Sequence, residues 1–151
     1  MDKEALQTHI ATQWQDLQWE ASGQFLQASV APPQLKPLAI WLKEEPPLGF
    51  DFLFCLTCVD WLKHLTMVYH LRSTTHRYEL VLKVNLDRAA PSVDTVADIW
   101  RTAEFHEREV YELFGVHFTG HPDLRKLILP DEWQGYPLRK DYEDPVNMIK
   151  L

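Results

Sequence analysis

The sequence predicts an α+β fold, a two-layer domain with helices packed on a mixed, mostly antiparallel sheet, plus an extended irregular C-terminal arm. Three observations predict it. Segments of helical and of strand periodicity follow one another in the order α-β-β-α-β-β-β-α. With 151 residues and 46% apolar content, the chain is long enough to bury one core. Beyond Gly115 the regular period stops, and Gly120-His121-Pro122, Leu129-Pro130-Asp131 and Gly135-Tyr136-Pro137 punctuate the remainder as turns. These features put residues 1–115 in the core domain and residues 116–151 in the arm.

Asp2 to Trp14 reads as a helix, with Asp2 as its cap and Ala5, Leu6, His9, Ile10 and Gln13 near one face. Leu17 to Glu20 and Gln24 to Val30 read as short strands around the turn Ala21-Ser22-Gly23. Pro32-Pro33 opens a second helix over Gln34 to Glu44, because proline suits a helix's first turn. Leu35, Leu38, Ala39 and Leu42 form its apolar face, and Pro46-Pro47 ends it. Phe50 to Val59, Leu65 to Arg72 and Tyr78 to Leu86 read as three strands. In the second of them Thr66, Val68, His70 and Arg72 alternate with Met67, Tyr69 and Leu71. Asp87 to Ser92 is a connector, and Asp94 to Arg101 a short helical piece leading into the principal helix.

That helix carries Ala103, Val110 and Phe114 on one face, joined by Leu113, and stops at Gly115. Glu104, Arg108 and Glu112 lie four apart on another face, where acid and base can pair along the surface. Glu107 departs from this pattern by pointing with the apolar face. A buried carboxylate must be paired, hydrogen-bonded or neutralised, and the expected partner is Arg125 or Arg139, pinning the irregular segment to the helix.

The formal charge of −7 argues against nucleic acid and against direct docking on anionic lipid. No stretch approaches the roughly 20 apolar residues of a membrane span. The opening MDKEALQTHI carries acids and no apolar core, so no secretory signal is expected, and a cytoplasmic protein is. Cys55-Leu56-Thr57-Cys58 has the spacing of redox and zinc sites, but on a strand residues three apart face opposite sides. With no second pair to complete four ligands, the reading is two small buried apolar residues. His106-Glu107-Arg108-Glu109-Val110 begins like a zinc-protease motif but has valine where the second imidazole must stand. His117 and His121 are four apart, yet Gly115 and Gly120 argue against a helix between them. His121 before Pro122 reads as a turn residue whose ring bonds to backbone or a carboxylate. Arg139-Lys140-Asp141 suits either an anion site or a solvated or internally paired charge cluster. No phosphate loop, nucleophile elbow or cysteine set for an iron–sulfur cluster is present.

Glu107-Arg108-Glu109-Val110-Tyr111-Glu112-Leu113-Phe114-Gly115, then Gly120-His121-Pro122-Asp123-Leu124-Arg125-Lys126, then Gly135-Tyr136-Pro137-Leu138-Arg139-Lys140-Asp141 form three linked motifs. In order and spacing they resemble the 30 kDa subunit family of respiratory complex I, the C-type subunit of bacterial NADH-quinone oxidoreductase. The departures are mild: Tyr136 stands where the family often has His, Lys126 where Arg is common, and Glu112 where Asp is common. Weaker matches at Val59-Asp60, Tyr69 to Leu71 and Pro91 to Val93 extend the resemblance over most of the chain.

The resemblance implies a compact αβ domain with an extended arm, acting as a non-catalytic scaffold of the peripheral arm of a proton-translocating NADH:quinone oxidoreductase. It implies a 49 kDa-type (D-type) partner that helps shape the quinone pocket. It implies no cofactor in this chain, with FMN, iron–sulfur clusters and quinone expected in partner subunits, and a peripheral place on the cytoplasmic side of the bacterial inner membrane. Glu107, Arg108, Glu109, His121, Arg125, Arg139, Lys140 and Asp141 would then be architectural or interface residues. The 121–141 segment and the tail from Tyr142 to Leu151 are expected to lie on the partner chain. The alternatives are the equivalent subunit of a related membrane-bound hydrogenase or dehydrogenase complex and, from another class, a free-standing small enzyme. The latter would need an enclosed polar pocket for which the sequence offers no convergent set of residues.

Overall fold

The computed structural model describes residues 1–20 and 23–144. Helix α1 (Lys3–Gln13) is capped by Asp2, whose carboxylate accepts from the Ala5 N–H at 2.8 Å, and it buries Leu6 and Ile10. Strands β1 (Gln18–Glu20) and β2 (Leu26–Ser29) pair antiparallel as expected, shorter than the sequence pattern suggested. Of the turn assigned between them, Ala21 and Ser22 lie outside the described residues. Helix α2 (Pro32–Glu44) starts on the two prolines and buries Leu35, Leu38, Ala39 and Leu42. Strands β3 (Phe52–Asp60), β4 (His64–Arg72) and β5 (Glu79–Asp87) follow the predicted segments closely.

The five strands form one sheet in the order β1-β2-β5-β4-β3. Only β2 and β5 pair in parallel, so the sheet is mixed and mostly antiparallel, as the sequence predicts. Its inner face presents Leu53, Leu56, Met67, Tyr69, Leu71, Leu82 and Val84 to the core. A register shift between Leu53 and Cys55 resets the alternation of β3, which is how Leu53 and Leu56, three apart, both point inward. Cys55 then stands opposite His70 and Cys58 opposite Met67. The thiols are on opposite faces as expected, but only Cys58 is buried; Cys55 is half-buried.

Two parts of the architecture differ from the sequence expectation. Residues 95–102 form successive turns rather than a helical piece: Ile99 and Trp100 N–H both donate to the Val96 carbonyl, at 3.0 and 2.9 Å, and Ala103 N–H donates to the Trp100 carbonyl at 3.0 Å where the next helix begins. The reason is that Ser92–Asp94 is a strand, β6, tied in parallel to β7 (His117–Thr119), beyond helix α3 (Ala103–Phe114). Three-residue strands are too short to show alternation in a sequence. Their pairing also moves the domain boundary. Val116 and Phe118 are fully buried, so the folded core runs through Thr119 and the arm begins at Gly120 rather than at residue 116.

The turn before α3 is stitched to the sheet edge. Trp100 Nε1 donates to the Phe50 carbonyl at 2.9 Å, and Thr102 Oγ1 to the Leu53 carbonyl at 2.7 Å. Trp100→Phe would leave the buried Phe50 carbonyl without its donor. We expect a loss of about 1 to 3 kcal/mol, read as a lower urea midpoint at unchanged slope.

Candidate functional site: an arm clamped along α3

Helix α3 turns Ala103, Val110 and Phe114 to the core, as its spacing predicts, and ends at Gly115 in the left-handed region with φ 79°. Its polar residues do not form a solvated face. Arg108 is 5% exposed and Glu112 1%, and they do not pair with each other along the surface. Both reach the arm's backbone instead. Arg108 Nε and Nη2 each donate at 3.0 Å to the carbonyls of Arg125 and Lys126. The Glu112 carboxylate accepts the N–H groups of Leu127, Ile128 and Leu129 at 2.8, 3.0 and 3.1 Å. Four residues apart, the two side chains reach neighbouring stretches of the same strand of arm.

The clamp extends in both directions along the helix. At its start, His121 Nδ1 accepts the Asp123 N–H at 3.0 Å, so the ring proton sits on Nε2, which donates to the Glu104 carbonyl at 2.9 Å. His121 is thus the turn residue the sequence suggested. At the helix end, the Leu138 N–H donates to the Leu113 carbonyl at 3.1 Å and Arg139 Nε to the Phe114 carbonyl at 2.7 Å. These carbonyls have no partner within the helix, and a cation there also complements the helix dipole. Arg139 lies over the Tyr136 ring, 5.0 Å from its centroid, while Tyr136 itself lies against Gly115.

A second anchor is Asp60, at the end of β3. Its carboxylate accepts from Arg88 Nε and Nη2 at 2.9 and 2.8 Å, from the Leu62 N–H at 2.8 Å and from the Lys140 N–H at 2.9 Å. Arg88 also reaches Asp141 at 2.8 Å, so of Arg139-Lys140-Asp141 the acid is internally paired, while Lys140 is exposed with its ammonium over the Trp61 ring. The Arg88 guanidinium beside Asp60, more than the N–H donors, holds its carboxyl well below the usual carboxylate range. A depressed acid stabilises the fold above its unfolded value near pH ~3.9 and loses that contribution as pH falls. Within the arm, Lys126 Nζ binds the carbonyls of Asp131 and Trp133 at 2.9 and 2.8 Å.

Glu107 is fully buried, as its place on the apolar face requires, but neither arginine meets it. Arg125 is exposed and pairs with Asp123 at 3.0 Å, and Arg139 is spent on the helix end. Glu107 instead takes a short hydrogen bond from the Thr95 hydroxyl and the Val96 N–H at 3.0 Å, with His121 Nε2 at 3.8 Å. Burial pushes its carboxyl up to about 7 against the pull of those two bonds. Glu109 is exposed and takes no part in the clamp. Sequence reasoning missed Thr95 and Arg88 as anchors. Asp60 carried one signal, an isolated acid closing an apolar strand.

Apolar side chains stand exposed on the arm: Ile128 is 71% exposed and Leu138 54%, with Leu127 less so, and on the core domain Phe105, Trp61 and Leu62 are exposed too. Among the described residues no three of His, Cys, Asp and Glu converge in a way that could hold a metal, and no helix is long and apolar enough to cross a membrane. The tail from residue 145 lies outside the described residues.

Residues 28–146 match the model of a family described as respiratory-chain NADH dehydrogenase, 30 Kd subunit. The chain is 44% identical over 108 residues to the C-type subunit of NADH-quinone oxidoreductase from Chloroherpeton thalassium, covering 70% of this chain and 45% of that one. It is 48% identical over 112 residues to the C/D-type subunit of the same enzyme from Phocaeicola vulgatus, covering 73% of this chain and 22% of the relative. It therefore spans less than half the length of these two relatives. Its fold superposes on a chain of the membrane-bound sulfane sulfur reductase, an archaeal respiratory membrane complex, with a TM-score of 0.81 and 25% identity over 95% of this chain and 86% of that one.

Two substitutions test the clamp. Glu112→Gln replaces one acceptor oxygen by a donor facing the N–H groups of residues 127–129. We expect about 1 to 3 kcal/mol of lost stability and faster amide exchange at Leu127, Ile128 and Leu129 than elsewhere. Gly115→Ala combines left-handed strain with a Cβ 2.7 Å from the Tyr136 ring. A cost of about 1 to 2 kcal/mol in thermal unfolding is expected, with Tyr136 displaced from its place beside the helix end.

Proposed function

This chain belongs to the respiratory-chain NADH dehydrogenase 30 kDa subunit family, and on that premise we propose that it is a non-catalytic scaffold in the peripheral arm of a proton-translocating NADH:quinone oxidoreductase. Its partner in this reading is the 49 kDa, D-type chain. One observation carries the reading. The arm's polar backbone is satisfied inward by α3 and Asp60, while its outer side chains, Ile128 and Leu138 foremost, stand exposed on that immobilised backbone. Exposed apolar side chains on a fixed backbone suit docking to another chain. The C/D-type relative, which by its name unites the two subunits in one chain, supports a D-type partner.

In this reading FMN, iron–sulfur clusters and quinone are held by partner subunits, and the assembly places the chain peripherally on the cytoplasmic side of the membrane. Glu107, Arg108, His121, Arg139 and Asp141 shape the arm from within, and the exposed Glu109, Arg125 and Lys140 contribute to the polar rim of the interface. A second reading, the equivalent subunit of a related membrane-bound machine, is favoured by the likeness to the sulfane sulfur reductase complex.

Tagging the chain in its native cell, solubilising membranes in mild detergent and assaying the co-purifying assembly separates the two. Cluster-bearing and membrane subunits with NADH-dependent quinone reduction support the first. An assembly active with another donor but not NADH supports the second, and a lone chain overturns both. Ile128→Glu with Leu138→Glu is expected to leave the isolated fold intact and to reduce co-purification about tenfold or more.

A further inference from the structure

At the root of the arm lies a buried cluster that the clamp alone does not explain. Glu107 and the side chain of His121 are both 0% exposed, with Glu107 Oε1 3.8 Å from His121 Nε2. From the turn after β6, Thr95 and Val96 each donate one hydrogen bond to Glu107. Asp98 on that turn adds negative potential, and Lys36 from α2, 3.0 Å from Asp98, adds positive potential. From β4, Tyr69 brings a fully buried hydroxyl that has no hydrogen-bond partner and that feels the Glu107 charge. Among the described residues no lysine or arginine lies within ion-pair distance of Glu107.

We propose that Glu107 and His121 form a proton-operated hinge that holds the root of the arm on α3 while Glu107 carries its proton and loosens it when that proton is lost to water. The coupling lies in how His121 is committed. A new carboxylate in this dry site needs a further donor, and the adjacent movable ones are the Tyr69 hydroxyl and His121 Nε2–H. His121 Nε2–H can serve the carboxylate only by leaving the Glu104 carbonyl. That response gives up a bond that ties the turn at residues 121–123 to α3.

Burial, the dominant influence on Glu107, brings its proton loss into the neutral range at about 7. The sign follows. The unfolded carboxyl ionises near pH ~4.3, so between there and about 7 the folded state keeps a proton the unfolded state has lost. Stability falls with rising pH across that window and levels off above it. The hinge loosens over the upper part of the same window, where Glu107 ionises in the folded chain.

The test uses the full chain. Amide exchange at Asp123 and Leu127 to Leu129 is measured from pH 6 to 8.5, divided by the intrinsic rate at each pH, alongside a carbon NMR titration of the Glu107 carboxyl. Arm protection is expected to fall about threefold or more in step with that titration, and to become flat in Glu107→Gln. In His121→Asn, whose amide can still accept the Asp123 N–H, Glu107 is expected to titrate while arm protection no longer follows it. Wild-type protection that stays level across the Glu107 titration overturns the proposal, as does a pH response that survives in Glu107→Gln. If Glu107→Gln does not fold, His121→Asn decides the matter: retention of the full wild-type response overturns the hinge, and its loss upholds it.

Discussion

A backbone with neither helix nor sheet must still find partners for its N–H and C=O groups, and the structure from Gly120 to Asp141 depends on how that need is met. Glu112 supplies the central answer, gathering three consecutive N–H groups into one buried carboxylate. Arg108, one turn earlier, takes the two preceding carbonyls. Acid and base on one helix therefore bind a strand of chain donor to acceptor and acceptor to donor, much as a neighbouring β-strand would. The open end of α3 completes the exchange, because the carbonyls the helix cannot satisfy are satisfied by the arm.

Three buried carboxylates in this region solve the same desolvation problem in different ways. Asp60 is matched by the Arg88 guanidinium and two peptide N–H groups, which keeps it ionised. Glu112 is matched by peptide N–H groups of the arm. Glu107 has two donors and no strong cation, and burial prevails, so it holds its proton towards neutrality. The differences arise from position. Asp60 and Glu112 face the backbone of the arm, whereas Glu107 faces the turn after β6.

The five-stranded sheet and the three helices were legible because long segments with a clear period report burial directly. Met67, Tyr69 and Leu71 alternate, and Leu35, Leu38 and Leu42 recur at helical spacing. The β6–β7 pair was not legible, since three residues carry no period and their pairing spans the whole of α3. In the candidate site, the sequence identified Glu107 as a buried acid and His121 as a turn ligand. It misassigned the partner of Glu107, because proximity in a motif does not reveal which arginine the fold needs elsewhere. It also took Arg108 and Glu112 for a surface ladder. That spacing fits an exposed ion pair as well as a clamp, and only the later return of the chain over the helix separates the two.

That return also bears on the docking proposed for the arm. A segment folded onto its own domain would ordinarily be expected to have spent its binding capacity. Here the attachment uses the arm's main-chain groups together with the side chains of His121, Arg139 and Asp141, while Leu127, Ile128 and Leu138 remain exposed. Side chains attached to a backbone already fixed by Glu112 and Asp60 lose little further freedom when another chain covers them, so more of their burial survives as binding energy. In the proposed docking, the polar motifs of α3 hold the backbone still and the apolar residues of the arm make the contact.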